Sequence, residues 1–142
     1  MTGGRLTLHG IAPCLQGEIP SILATCSAAG EPNLVHLSQV LFVDDEHVAI
    51  SNQFLSKTAD NLTANPIATL LCPDPATGVS FKLLVRYERS ERDGPRFDAA
   101  RVQLDAIAAL TGMQDVFALR GIDIFRVLDI SEVPTRGSTP RP

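Results

Sequence analysis

No apolar run in the sequence approaches the roughly 20 residues that a bilayer-crossing helix requires, so no membrane span is expected. Basic clusters are missing too. The 12 Lys and Arg residues are dispersed among 16 Asp and Glu, the formal net charge is −4 and the pI is about 5.2, which leaves no electrostatic footprint for nucleic acid. The three cysteines, Cys14, Cys26 and Cys72, are widely spaced and form no CxxC pair, so neither a disulfide framework nor a zinc site is indicated. P-loop, dinucleotide fingerprint, nucleophile elbow and internal repeat are all absent. The opening MTGGRLTLHG has no basic segment followed by an apolar core, which argues against secretion and makes the cytoplasm the expected compartment.

What is present suits one ordinary domain. A chain of 142 residues buries roughly 68–70% of its unfolded surface and needs no staple to hold a core. Residues 1–133 are expected to form that domain. The segment 134–142, PTRGSTPRP, is Pro-rich and short of apolar residues, and reads as a flexible tail or the start of a linker.

The stretch that organises the chain is VAISNQFLSKTADNLTANP, residues 48–66. Val48, Ala49 and Ile50 suit a buried strand. Ser51, Asn52 and Gln53 then offer hydrogen bonds. A short helix opens at Ser56-Lys57-Thr58, with Ser56 a competent N-cap, and Pro66 stops it. Its first turn holds two hydroxyls, one ammonium and no acid, so it has the donors that a phosphate dianion needs at a helix N-terminus. The same residues also read as a plain cap beside a solvated lysine.

Around this stretch the alternation of apolar residues predicts strands over 20–27, 33–43, 67–72, 79–87 and 122–130. The first two form a hairpin across Ala28 to Pro32. Residues 5–18 carry helical spacing broken by Gly10, Pro13 and Gly17. Residues 96–111 have apolar positions three and four apart, with Pro95 before them and Gly112 after, which predicts an amphipathic helix. Glu88 to Gly94 reads as a charged loop, Asp44 to Glu46 as a solvated turn, and His47 as a solvated side chain. The resulting fold class is mainly β with α, about six antiparallel strands closing into a small β-barrel with helices at its ends.

ATCSAAGEPNLVHLSQV, VDDEHVAISNQFLSKTADNLTANP and IATLLC, in that order, resemble the pyridoxamine-phosphate-oxidase-like family of FMN-binding split β-barrels. The resemblance spans roughly residues 11–90, with a fainter match in the last strand. It implies a homodimer with FMN at the subunit interface and a small-molecule redox substrate or partner. It further implies that Ser56, Lys57 and Thr58 grip the phosphate and that Ser51, Asn52 and Gln53 lie beside the flavin ring. Where the family's oxidases carry Arg and Lys, around positions 36 to 41, this chain has His36 and Leu41. His36, Ser38 and Val40 share one face of that strand and join the cofactor-facing positions. Thr58 also replaces a basic residue, and no Arg-x-His signature closes the chain. These departures argue against true pyridoxamine-phosphate oxidation. The layout is similar to shorter members that bind FMN, a deazaflavin or haem, some of them ahead of signalling modules, and haem would call on His36. Neither metal nor nucleic acid is implied.

Overall fold

The computed structural model describes residues 6–15, 19–37, 39–52, 56–112 and 119–134; for Asn52, Ser56, Ile107 and Thr111 only the backbone is described. After a 3-10 turn at Ala12–Leu15 the elements are β1 (Ile22–Cys26), β2 (Pro32–His36), β3 (Val40–Asp44), β4 (His47–Asn52), α1 (Ser56–Ala64), β5 (Ile67–Pro73), β6 (Ser80–Glu91), α2 (Pro95–Thr111) and β7 (Gly121–Val133). All described strand pairs are antiparallel, in one sheet of order β2-β1-β5-β6-β7-β4-β3.

That order forces the sheet to curl. β2 and β3 are its opposite edges, yet only residues 37–39 separate them. Laid flat, seven strands at about 4.8 Å spacing put the edges about 29 Å apart. Four steps of chain reach at most about 14 Å, so the two edges must approach. The result is a barrel left open along the β2/β3 seam, the split β-barrel expected. Leu37 donates its N–H to Ser21 O (2.9 Å) at one edge, and Gln39 O accepts from Ser51 N (3.4 Å) at the other. The predicted strand over 33–43 is therefore two strands, and the sheet has seven where about six were expected. Both faces of that stretch are apolar because Leu37 and Val40 fill the barrel while Leu41 and Val43 face α2.

The period-2 pattern explains each wall. Leu23 on β1, Leu70 and Cys72 on β5, Leu83 and Val85 on β6, Val48 and Ile50 on β4 and Phe125 on β7 point inward and are almost wholly buried. A second cluster, Ala49, Ala100, Ile122 and Ile124, lies outside the barrel wall under α2. That helix begins at Pro95 and is capped after Thr111 by Gly112, whose φ of 72° gives the left-handed cap that glycine adopts without steric cost.

Two local expectations are corrected. β6 runs on to Glu91 through bulges at Leu84/Val85 and Tyr87/Arg89, so much of the predicted charged loop is strand. His47 is half-buried rather than solvated, with Nδ1 2.8 Å from Asp44 Oδ1 and Nε2 3.2 Å from Glu88 Oε1. β4 and β6 both flank β7, which brings Glu88 within reach. The Glu46 amide, followed by the His47 ring, holds the Asp44 carboxyl below its ordinary value.

Phe125, fully buried and edge-on to Tyr87 at 5.6 Å, fills the barrel centre. Phe125→Ala is expected to cost about 3–5 kcal/mol, read as a lower urea midpoint in equilibrium unfolding.

Candidate functional site

The corner where β4 gives way to α1 is built by three attachments. On the inner side of α1, Leu62 enters the barrel core and Asn61 Nδ2 donates to Thr25 Oγ1 on β1 at 3.0 Å. At its C-terminal end, Asn65 N–H reaches back to Asn61 O at 2.7 Å and Pro66 prevents another turn. On the outer side, Lys57 Nζ lies 3.4 Å from Glu31 Oε1. Glu31 is itself pinned at the β1–β2 turn, its N–H donating to Ser27 Oγ (3.0 Å) and its carbonyl accepting from Ser27 N–H (2.9 Å). Gly30, at φ 85°, makes that turn possible.

Within the first turn of α1 the neighbours Lys57 and Thr58 differ sharply in burial. Lys57 is 61% exposed, whereas Thr58 is 2% exposed and its hydroxyl is the described buried side-chain atom with no hydrogen-bond partner. An unsatisfied buried hydroxyl costs about 1–3 kcal/mol, and α1 has no acid in its first turn to answer its donors. Lys57 and Thr58 thus leave an anionic acceptor two kinds of partner: an exposed ammonium and an unused buried hydroxyl.

The other predicted positions are distributed differently. Ser51 pairs with Ile122 on the face of the sheet covered by α2, where its hydroxyl donates to Gln39 Oε1. Gln39 Nε2 donates in turn to Gln103 Oε1 and to Ala100 O (3.5 Å) on the helix. Ser51 therefore keeps only acceptor capacity for a ligand. Val40 is packed inside the barrel. His36 is exposed at the end of β2 remote from Glu31, four residues or about 13 Å along the strand from Pro32. Asn52 ends β4 and Ser56 opens α1, known by backbone alone; Ser38 and Gln53 lie outside the described residues.

Glu31, Gln39, Asn61, Gln103 and Asp123 were missed by sequence reasoning. Only Asp123 carried a usable signal, a carboxylate inside the apolar alternation IDIF. It is 6% exposed and accepts from Ser90 Oγ at 2.6 Å, which also meets Tyr87 Oη at 2.7 Å. A cavity of about 650 Å³ lies at the other end of β4, by the β3–β4 turn, but Asp45, Glu46 and Asp129 line it, a charge that repels phosphate. Among the described residues no group of three or more His, Cys, Asp and Glu is placed to hold a metal. Burial pushes the Cys72 thiol up to about 12, so it stays protonated and unreactive at neutral pH.

The model of the pyridoxamine 5'-phosphate oxidase family matches residues 9–126. No curated protein matches the chain. Among solved structures, an FMN-binding protein from Syntrophomonas wolfei is 18% identical with a TM-score of 0.70, the alignment covering 84% of this chain and 80% of that one. The HupZ protein of Group A Streptococcus is 18% identical with a TM-score of 0.65, covering 88% and 92%. An FAD-binding protein from Mesorhizobium loti is 21% identical with a TM-score of 0.58, covering 91% and 95%. At these identities the structures share the fold.

Thr58→Val replaces the unpaired hydroxyl by a methyl of similar shape. It is expected to stabilise the unliganded protein by about 1–3 kcal/mol, measured as a higher urea midpoint with an unchanged slope.

Proposed function

Because the chain belongs to the pyridoxamine 5'-phosphate oxidase family, its model matching residues 9–126, we propose that it binds a phosphorylated flavin, FMN first among them, at the β4–α1 corner and serves redox chemistry there. The observation that carries the reading is the unpaired, buried hydroxyl of Thr58 beside the exposed ammonium of Lys57. An FMN-binding and an FAD-binding protein with the same fold support the ligand class. When bound, the flavin supplies hydride or electron transfer.

The protein's part is to bind and orient. Lys57 neutralises phosphate charge, and the first-turn hydroxyls and backbone N–H groups of α1 donate to its oxygens. Asn52, Gln53 and the acceptor side of Ser51 meet the polar edge of the ring. Gln39 takes the Ser51 hydroxyl hydrogen, which would leave Ser51 only lone pairs to offer the ring. His36 and Leu41, standing where the family's oxidases carry cations, and Thr58 in a basic position speak against pyridoxamine phosphate as substrate.

A second reading is a sensory domain that binds FMN, a deazaflavin or haem without turnover. It is favoured by the scarcity of acid–base groups in the described part of the corner, where Glu31 and Lys57 are already paired. Continuous oxidation of a reduced nicotinamide cofactor would decide for the enzyme. Binding with no such turnover would decide for the sensor.

The outer wall of the barrel supports a homodimer. α2 covers β4 and β7, but the other half of the wall carries the cross-strand row Leu34, Ala24, Thr69, Leu84 and Asp129, continuous over five strands. Leu34 is 69% and Leu84 39% exposed, and exposed apolar side chains of this kind favour a partner, for which a second copy is the proposed occupant.

FMN added to the purified protein is expected to raise Tm, since a ligand that binds only the native state must stabilise it; no shift would defeat the reading. Lys57→Ala should weaken FMN binding about tenfold or more, the size of one charge-assisted bond, as measured by flavin fluorescence titration. Leu84→Asp should convert dimer to monomer in sedimentation velocity, and a wild-type monomer would remove the dimer.

A further inference from the structure

Lys57 is not idle in the unliganded protein, and its partner comes from a different element. Glu31 is held at the tip of the β1–β2 hairpin by two hydrogen bonds with Ser27, at 2.9 and 3.0 Å. The hairpin is tied to α1 by the Asn61–Thr25 bond at 3.0 Å. The carboxylate of Glu31 therefore reaches Lys57 from a fixed base, 3.4 Å from Nζ, beside a helix whose first turn has no acid of its own. It supplies the negative charge that such a helix start favours, in the place where a phosphate would supply it.

We infer that Glu31 is an internal stand-in for the ligand's phosphate: it neutralises Lys57 while the corner is empty and is displaced when a phosphorylated ligand binds, so that its charge sets the affinity of the site. The inference rests on the reading of this corner as a phosphate site, which the unpaired Thr58 hydroxyl supports independently of Glu31. A phosphate arriving at Lys57 meets a carboxylate of its own sign on the same ammonium. Binding must therefore break the Lys57–Glu31 contact and hold two like charges near each other. Both partners are well exposed, at 61% and 71%, so the effect is modest and salt-dependent. It acts on charge alone and leaves the ring's contacts untouched.

The test compares wild type, Glu31→Gln, Lys57→Ala and the double variant, titrated with FMN and with riboflavin, which has the same ring and no phosphate. At low ionic strength Glu31→Gln should bind FMN roughly two- to fivefold tighter than wild type, the range of an exposed ion pair or helix-terminus charge. The gain should disappear in 0.5 M NaCl and in the Lys57→Ala background, and riboflavin affinity should stay unchanged. Equal tightening for riboflavin would make Glu31 merely structural and overturn the inference. If Glu31→Gln leaves FMN affinity unchanged while Lys57→Ala weakens it, the stand-in role falls and the phosphate site remains. FMN binding by none of the four proteins overturns both.

Discussion

Three residues joining the two outermost strands of a seven-stranded sheet are the constraint on which everything else rests. With β2 and β3 at opposite edges and only residues 37–39 between them, the sheet has no flat solution, and its curl creates an inside and an outside from a single layer. Inside, the alternating apolar residues of every strand meet in one cluster. Outside, one half of the wall is covered by α2 and the other half by nothing in the described chain. The same connection places Gln39 where it accepts from Ser51 and donates to α2, so one side chain ties the seam of the barrel to the helix.

The sequence disclosed the walls better than the connections. Period-2 alternation in β5, β6 and β7, Pro95 and Gly112 around α2, and Pro66 after α1 all mark their elements by local chemistry, and local chemistry is visible in a string of letters. The run from Asn33 to Val43 deceived because nothing in it breaks a strand: no glycine, no proline, and apolar residues on both faces. What divides it is a change of partner, Ser21 on one side and Ser51 on the other, and pairing between distant segments leaves no local trace. His47 was misjudged for the same reason, since Glu88 lies 41 positions away and meets it only because a third strand separates the two.

For the candidate site the division is sharper still. The residue types of the corner, a lysine and hydroxyls opening a helix, were legible, as was the absence of any acid there. The orientation of each was not. Lys57 and Thr58 are adjacent in the chain yet differ in burial, one meeting solvent and a glutamate, the other closed off from solvent. Ser51 looked free and is engaged. Glu31 looked like an ordinary turn residue and turns out to face the one cation of the helix start. These are properties of a surface assembled from β1, β2, β4 and α1 together, and no short window of sequence contains all four.

β7 is the last of the described elements and lies between β6 and β4. Before it is in place, the sheet consists of two unjoined pieces, a four-stranded β2-β1-β5-β6 unit and a β3-β4 hairpin, each with an open edge ready to pair with a stranger. A ribosome delivering this chain from its N-terminus must therefore have made β7 before the barrel can zip shut. Long-range pairing of this kind slows folding, and the interval of exposed edges is when a crowded cell would need to shield it from aggregation.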